Sequence, residues 1–144
     1  MVLIQNNDKY ESSSMKISAK ELVENALQEI ETISLAQATK LLDDDNAVFV
    51  DIRDIRELYR GGKIPGALHA PRGMLEFWVD PESEYHRDIF SSGKKFVLYC
   101  AKSHRSALAT LTLQNMGLSS ICHIDGGFEA WQQGGLASEA VEKK

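Results

Sequence analysis

The sequence predicts an α/β fold built on an open parallel sheet with helices on both faces. Three short apolar runs support this prediction, at residues 47–50, 96–99 and 121–124. Each run is largely apolar and does not alternate regularly with polar residues, which is typical of a strand buried on both faces. Helix-like segments separate the runs, as parallel strands require. A chain of 144 residues suits one such sheet in a single compact domain.

The chain is expected to begin with a flexible segment and an amphipathic helix. Residues 1–17 are mostly polar and contain three consecutive serines, so we expect them to be mobile. Residues 18–32 are predicted to form a helix, because Ser18 and Glu21 have the spacing of a capping box and apolar residues recur behind them at helical intervals. The apolar face is expected to pack on its own domain. Contact with a second copy is the alternative, so a monomer or a homodimer is expected.

The compact domain is expected to span residues 33–137, followed by a frayed, charged tail over residues 138–144. Ile33 begins a short extended piece, and Ser34 can cap a helix that ends near Leu42. An acidic turn then leads into the first of the three apolar strands.

An apolar insert lies between the first two strands, over residues 71–81. Leu75 and Phe77 are expected to fill the core from a short helix. Arg72 and Trp78 are candidates for the mouth of a pocket.

Two further helices are predicted in the C-terminal half. The first covers residues 104–116 and ends at Gly117. A tight turn at residues 126–127 leads into the second, which contains Trp131 and ends at Gly134.

Each apolar strand ends on a residue with an ionisable side chain, namely Asp51, Cys100 or Asp125. Ligands of open parallel sheets lie outside the carboxyl ends of the strands, so these residues are expected to share one edge. Asp51 is expected mainly to accept hydrogen bonds from the start of the following helix. Arg53 is expected to pair with a carboxylate in the same region.

The segment from Cys100 to Ser106 has the order strand, tight loop, helix, which predicts an anion cradle. Backbone N–H groups turn inwards in such a loop, and the helix N-terminus adds a partial positive charge. This field favours the thiolate, which is the reactive form of cysteine. The predicted binding loop is Ala101, Lys102, Ser103, His104, Arg105 and Ser106, with Asp51, Arg53, Arg72 and Trp78 as supporting residues.

A cysteine in this setting is suited to attack an anionic group and to retain part of it on sulfur. Lys102 and Arg105 add positive charge, and His104 is expected to offer its backbone N–H while its ring faces solvent. An ordinary buried cysteine at the end of a core strand is the alternative for Cys100, which the polar, basic loop disfavours. Cys122 lies within a buried strand and is expected to be inert.

Composition excludes several classes of partner. The net charge of −5 gives no basic surface for a nucleic acid. Two cysteines make no disulfide framework, and a working thiol fits a reducing, cytoplasmic compartment. No stretch resembles a signal peptide or a membrane span, so no membrane partner is expected. The four histidines are scattered without metal-ligand spacing, so neither a metal nor a cofactor is expected.

Several segments, in order along about residues 33–137, resemble the rhodanese family of sulfurtransferase domains. They are Asp51-Ile52-Arg53 with Glu57 and Tyr59, Gly62-Lys63-Ile64-Pro65-Gly66-Ala67, Cys100 with Arg105 and Ser106, and Asp125-Gly126-Gly127-Phe128 with Ala130-Trp131. Two positions depart from the family pattern: Lys63 stands where histidine is usual, and Ser103 stands where the loop often has glycine, which tolerates more backbone conformations.

The resemblance implies a rhodanese-like fold and a thiosulfate sulfurtransferase activity in two steps. Cys100 would take sulfur from thiosulfate or a similar small anionic donor as a covalent persulfide. It would then pass that sulfur to cyanide, a cellular thiol or a protein acceptor. Lys102 resembles the basic loop residue that meets the donor in thiosulfate-using relatives.

Two other functions remain open from the sequence. Phosphatases and arsenate reductases of the related cysteine-loop class also place a cysteine and an arginine around an oxyanion, but their loop is one residue longer than the four residues between Cys100 and Arg105. A non-catalytic sulfur carrier or sensing module would retain the same loop. Rapid transfer to one protein, with slow turnover on cyanide, would distinguish a carrier from an enzyme.

Overall fold

The computed structural model describes residues 15–144, and a five-stranded sheet forms its centre. The strands are β1 (Thr32–Ile33), β2 (Ala47–Asp51), β3 (Leu68–His69), β4 (Lys95–Tyr99) and β5 (Ile121–Ile124). All neighbouring strands are parallel, in the order β1-β5-β4-β2-β3. The predicted fold class is confirmed, and β4 is the middle strand. The mobile segment predicted for residues 1–17 lies mostly outside the described residues.

Within residues 15–144, six α-helices surround the sheet. They are α1 (Ala19–Glu29), α2 (Leu35–Leu41), α3 (Ile55–Gly61), α4 (Leu75–Val79), α5 (His104–Asn115) and α6 (Gly127–Gln133). Short 3-10 turns cover Arg72–Met74 and Asp88–Ser91. Ser18 caps α1 and Ser34 caps α2, as the sequence predicts, and each does so through a complete capping box, which was predicted only for Ser18.

Alternate residues of β4 face two separate cores. Phe96 and Leu98 lie in the core that includes side chains of α4 and α5. Val97 and Tyr99 lie in the core that includes side chains of α2 and α6. Successive side chains of a strand point to opposite faces, so Cys100, the residue after β4, belongs to the α5 side. Both faces of the sheet are therefore covered by helices.

The N-terminal helix α1 packs on α5. Ala26 is fully buried there, and the Gln114 side chain donates to the carbonyl of Glu29 at 2.8 Å. The prediction that the helix packs on its own domain is confirmed. Leu22 and Leu27 are nevertheless 43% and 40% exposed.

The insert before β4 is only partly as predicted. Leu75 is fully buried, but Phe77 is 51% exposed and meets the ring of Tyr85 edge-on, with 6.5 Å between ring centroids. The prediction that Phe77 fills the core is wrong. The short helix α4 turns Leu75 and Val79, one turn apart, towards the core, which places Phe77 on the outer side.

The C-terminal tail is attached to the domain at one point. Glu139 exchanges two backbone hydrogen bonds with Lys63, at 2.8 and 2.9 Å, and its carboxylate accepts from the backbone N–H of Gly66 at 2.9 Å. Within residues 15–144, no helix has the length and apolar character needed to cross a lipid bilayer.

Candidate active site

The carboxyl ends of β2, β4 and β5 bring Asp51, Cys100 and Asp125 to one edge of the sheet. Cys100 is only 1% exposed, yet it lines a cavity of about 290 Å³. The other residues lining this cavity are Ala101, Lys102, His104 and Arg105. The structure thus places most of the predicted binding loop around the thiol.

The first turn of α6 holds the loop through backbone hydrogen bonds. The backbone N–H of Phe128 donates to the carbonyl of Cys100 at 2.8 Å, and that of Glu129 donates to the carbonyl of Ala101 at 2.9 Å. These bonds direct two loop carbonyls to α6. On the other side, the backbone N–H of Ser106 lies 3.4 Å from Cys100 Sγ and donates to it. The surroundings of the sulfur therefore include a donor, as an anion cradle requires.

Gly127 permits this close contact between α6 and the loop. A Cβ atom there would lie 2.5 Å from the carbonyl oxygen of Cys100 and 2.6 Å from that of Lys102. The φ angle of +59° is also in the left-handed region, which favours glycine. A side chain at this position would displace the loop.

Ser103 stands where the family often has glycine, and its backbone needs no glycine here. Its φ of −169° is extended and open to any residue. Its hydroxyl accepts a hydrogen bond from the backbone N–H of Gly126 at 2.8 Å and donates to the carbonyl of Lys102. Ser103 therefore ties the loop to the turn that precedes α6.

The two loop cations have different environments. The Arg105 guanidinium donates to both carboxylate oxygens of Glu57, at 2.9 and 3.0 Å. These bonds hold the pKa of Glu57 below its ordinary value. Lys102 is exposed and has no ion-pair partner within residues 15–144. Of the two, Lys102 is the cation whose charge is available to an incoming anion.

A buried polar network that was not predicted from the sequence fixes Ser106. The Ser106 hydroxyl lies 2.8 Å from His123 Nδ1 and 3.1 Å from the Ser103 carbonyl, to which it donates. His123 Nε2 in turn lies 2.9 Å from the Thr32 hydroxyl. A neutral imidazole that donates from Nδ1 and accepts at Nε2 satisfies all of these groups. Burial lowers the pKa of His123 to about 4, which keeps the ring neutral.

The sequence did contain a signal for this network. His123 interrupts an otherwise apolar strand, and a buried polar side chain requires a hydrogen-bond partner. The sequence alone does not show which residue provides that partner.

Asp51 and Arg53 form a buried ion pair. The Arg53 guanidinium donates to Asp51 at 2.8 to 3.2 Å and to the carbonyl of Gly62 at 2.8 Å, and it lies 4.4 Å from the ring centroid of Phe128. Burial opposes the charge of Arg53, but the hydrogen bonds and the charge of Asp51 raise the pKa of this guanidinium above its ordinary value. Arg53 pairs with a carboxylate as predicted.

The prediction that Asp51 mainly caps the following helix is wrong. Asp54 is the N-cap of α3 and accepts from the backbone N–H of Arg56 at 2.9 Å. Asp51 lies three residues before the cap, where its carboxylate is occupied by Arg53.

Arg72 and Trp78 lie outside the set of residues that line the Cys100 cavity. Arg72 forms an ion pair with Glu76 at 2.8 Å. The guanidinium of Arg87 stacks 4.0 Å from the centroid of the Trp78 ring. A supporting role for Arg72 and Trp78 stays a prediction.

The second cysteine has a contrasting environment. Cys122 is fully buried within β5, and burial raises the pKa of its thiol to about 11. It forms no disulfide with Cys100. Among the described residues, no group of three or more histidine, cysteine, aspartate or glutamate side chains is arranged to hold a metal ion.

Comparison with known proteins identifies the family. The model of the rhodanese-like domain matches residues 34–134. The chain belongs to the rhodanese-like domain family. A thiosulfate sulfurtransferase of Pseudoalteromonas translucida is 32% identical over 111 residues, which cover 77% of this rhodanese-like chain and 95% of that protein.

Two further proteins are similar to this chain. An uncharacterised protein of Synechocystis is 34% identical over 105 residues, and the match covers 73% of this rhodanese-like chain but 54% of that protein, so the chain spans about half of its length. A solved structure from Rhodopseudomonas palustris is 48% identical with a TM-score of 0.85, and the match covers 88% of this chain and 97% of that one. That protein is described as having unknown function and as a possible tyrosine phosphatase.

Proposed function

We propose that this rhodanese-like domain is a sulfurtransferase that carries sulfur as a persulfide on Cys100. The observation that supports the proposal is the position of the thiol. Cys100 Sγ accepts a hydrogen bond from Ser106 N–H at 3.4 Å and borders a cavity of about 290 Å³ whose other walls carry Lys102 and Arg105. The chain is also similar to a thiosulfate sulfurtransferase over nearly the whole length of that protein, which adds to this support.

In the first step, the Cys100 thiolate attacks the outer sulfur of thiosulfate. A bond forms between Sγ and that sulfur, and the sulfur–sulfur bond of thiosulfate breaks. The electron pair of the broken bond leaves with sulfite. The step therefore needs no external oxidant. The persulfide that remains is a covalent intermediate of the enzyme, which requires no cofactor.

In the second step, an acceptor nucleophile attacks the outer sulfur of the persulfide. Cyanide forms a carbon–sulfur bond and leaves as thiocyanate, whereas a thiolate becomes a persulfide itself. The electron pair of the broken sulfur–sulfur bond returns to Cys100 as thiolate. Thiosulfate is the proposed donor, and a low-molecular-weight or protein thiol in the cytoplasm is the proposed acceptor.

The loop residues have separate tasks in this scheme. Ser106 N–H stabilises negative charge on the sulfur, and Lys102 attracts the anionic donor. Arg105 lines the cavity from a position fixed by Glu57, with its charge paired. His123 acts through Ser106 and is a positioning residue.

The test is the intact mass of the protein after incubation with thiosulfate. We expect the wild type to gain one sulfur atom, about 32 Da, and to lose it when cyanide is added, with formation of thiocyanate. Cys100→Ser should gain nothing, whereas Cys122→Ala should gain sulfur like the wild type. Folded, reduced protein that gains no mass would contradict the proposal, and 3-mercaptopyruvate would then be tested as the donor.

Phosphatase or arsenate reductase activity is the second candidate, because the Rhodopseudomonas palustris relative is described as a possible tyrosine phosphatase. Two observations disfavour it. The loop has four residues between Cys100 and Arg105, and the Arg105 guanidinium is occupied by Glu57. Hydrolysis of p-nitrophenyl phosphate or reduction of arsenate, with no sulfur gained from thiosulfate, would favour this second candidate.

A further inference from the structure

A groove lies between α1 and the start of α5, beside the loop from Cys100 to Ser106, the Cys100 loop. Its volume is about 640 Å³, which is within the range of about 300 to 1,000 Å³ that is common for small-molecule sites. One wall is a stripe of α1 formed by Ala19, Val23 and Leu27, which are spaced four residues apart and so share a helix face. Leu108 of α5 lines the groove as well.

Polar residues line the end of the groove that lies at the Cys100 loop. Ser103, His104 and Arg105 line the groove there, together with Asp125 at the end of β5. On α1, Lys20 and Glu24 add one charge of each sign. The groove therefore combines an apolar wall with a polar end at the loop, and it has no excess of one charge that would select a highly charged ligand.

The groove adjoins the reactive centre. His104 and Arg105 line both the groove and the cavity that contains Cys100. A molecule that places its reacting atom at Cys100 and extends past these two residues would lay its remaining part along α1. Thiosulfate and cyanide are too small to use this space.

We propose that the groove binds the sulfur acceptor, and that this acceptor is a thiol on a neutral, apolar arm. The thiol end would lie at the polar loop, where sulfur is handed over. The arm would lie against Val23, Leu27 and Leu108, where burial of each methylene group favours binding. This proposal rests on the persulfide chemistry proposed above and adds the class of acceptor.

The test uses two thiols that differ only in their apolar arm, N-acetylcysteamine and N-octanoylcysteamine. Their acyl groups are remote from the sulfur, so the two thiols have matched reactivity. The enzyme is first loaded with sulfur from thiosulfate, and the transfer of sulfur to each thiol is then followed. We expect kcat/KM to be about tenfold higher for the octanoyl compound, because part of its six additional carbons becomes buried.

Leu27 and Leu22 provide a matched pair of variants on α1. Both are leucines of similar exposure, 40% and 43%, but only Leu27 lines the groove. Leu27→Gln should reduce the preference for the octanoyl compound about threefold, whereas Leu22→Gln should leave it unchanged. Transfer of sulfur to cyanide should be unchanged in both variants.

The outcomes separate this inference from the proposed function. If Cys100 gains no sulfur, the proposed function itself fails. If Cys100 is loaded and cyanide removes the sulfur, but the two cysteamines react equally well or Leu27→Gln leaves their ratio unchanged, the assignment of the groove is overturned while the sulfurtransferase remains. A preference that disappears as protein concentration rises would also overturn it and would assign the groove to a second copy of the chain.

Discussion

The donor that contacts Cys100 is held in place by residues that are distant in the sequence. Ser106 donates to the sulfur, and His123 holds Ser106 from the neighbouring strand. Thr32, on the strand beyond, completes the chain of hydrogen bonds. The geometry at the thiol therefore depends on a histidine that never contacts it.

His123 should make the stability of the protein depend on pH. The pKa of this ring is about 4 in the folded protein, below its ordinary value of 6.5. The unfolded chain therefore binds a proton that the folded protein does not as pH falls from 6.5 towards 4, and stability is lost in that window. We expect a loss of about 2 kcal/mol between pH 7 and pH 5, measured by urea unfolding.

His123→Gln is the control for this prediction. Glutamine keeps a polar side chain at the position but has no titrating ring, so its unfolding free energy should be nearly constant over the same pH range. Parallel pH profiles of the two proteins would show that the histidine is not responsible.

Single residues were the hardest features to predict from the sequence. The motifs identified Cys100 and its loop, because their chemistry is local. The partners of that loop, Glu57 and His123, lie 48 and 17 residues from the side chains they contact. Such pairs depend on strand order and register, which the apolar pattern of one chain does not specify.

At the scale of secondary-structure elements, the contact between the Cys100 loop and α6 depends on Gly127. Three loop carbonyls lie within 2.8 Å of the place that a Cβ atom of residue 127 would occupy. The helix can therefore donate its first N–H groups to the loop only when that position has no side chain.

Gly127→Ala should disrupt the site, and Gly135→Ala is its matched control. Both glycines have a positive φ, +59° and +74°, but a Cβ atom at residue 135 would meet nothing within 4 Å. We expect Gly135→Ala to lower the unfolding free energy by about 1 kcal/mol, from backbone conformation alone. Gly127→Ala should lower it by more, about 3 kcal/mol, and should also abolish sulfur loading on Cys100. Equal effects of the two substitutions in thermal unfolding and in mass analysis would contradict this interpretation.

Elements were easier to predict than single contacts. A capping box marked the start of α1, a capping serine marked that of α2, and apolar runs marked β2, β4 and β5. The two-residue strands β1 and β3 are too short for any periodicity to be detected. The orientation of α4 was missed for a similar reason, since five residues do not define an amphipathic face.

At the scale of the whole molecule, charge opposes the proposed donor. The net charge is −5, and thiosulfate is a dianion. The overall charge of the protein therefore does not attract thiosulfate, and a cation close to Cys100 must do so. Lys102 is placed to do so, at the carboxyl end of β4.

Two substitutions that change the net charge equally can separate local from overall charge. Lys102→Gln and Lys94→Gln each remove one positive charge, but Lys94 precedes β4 and lies at the opposite end of that strand. We expect kcat/KM for thiosulfate to fall about fivefold in Lys102→Gln and to change little in Lys94→Gln. The difference should shrink at high ionic strength. Equal losses in the two variants would show that only net charge matters.

The support that α6 gives to the Cys100 loop has a consequence for biosynthesis. The ribosome adds residue 100 well before residues 128 and 129, whose N–H groups hold the loop. At about 5 to 20 residues per second, the intervening stretch of about 30 residues takes about 2 to 6 seconds to translate. During that interval the thiol lacks the hydrogen bonds that hold its loop. A reducing environment during translation would protect the sulfur until the finished fold encloses it.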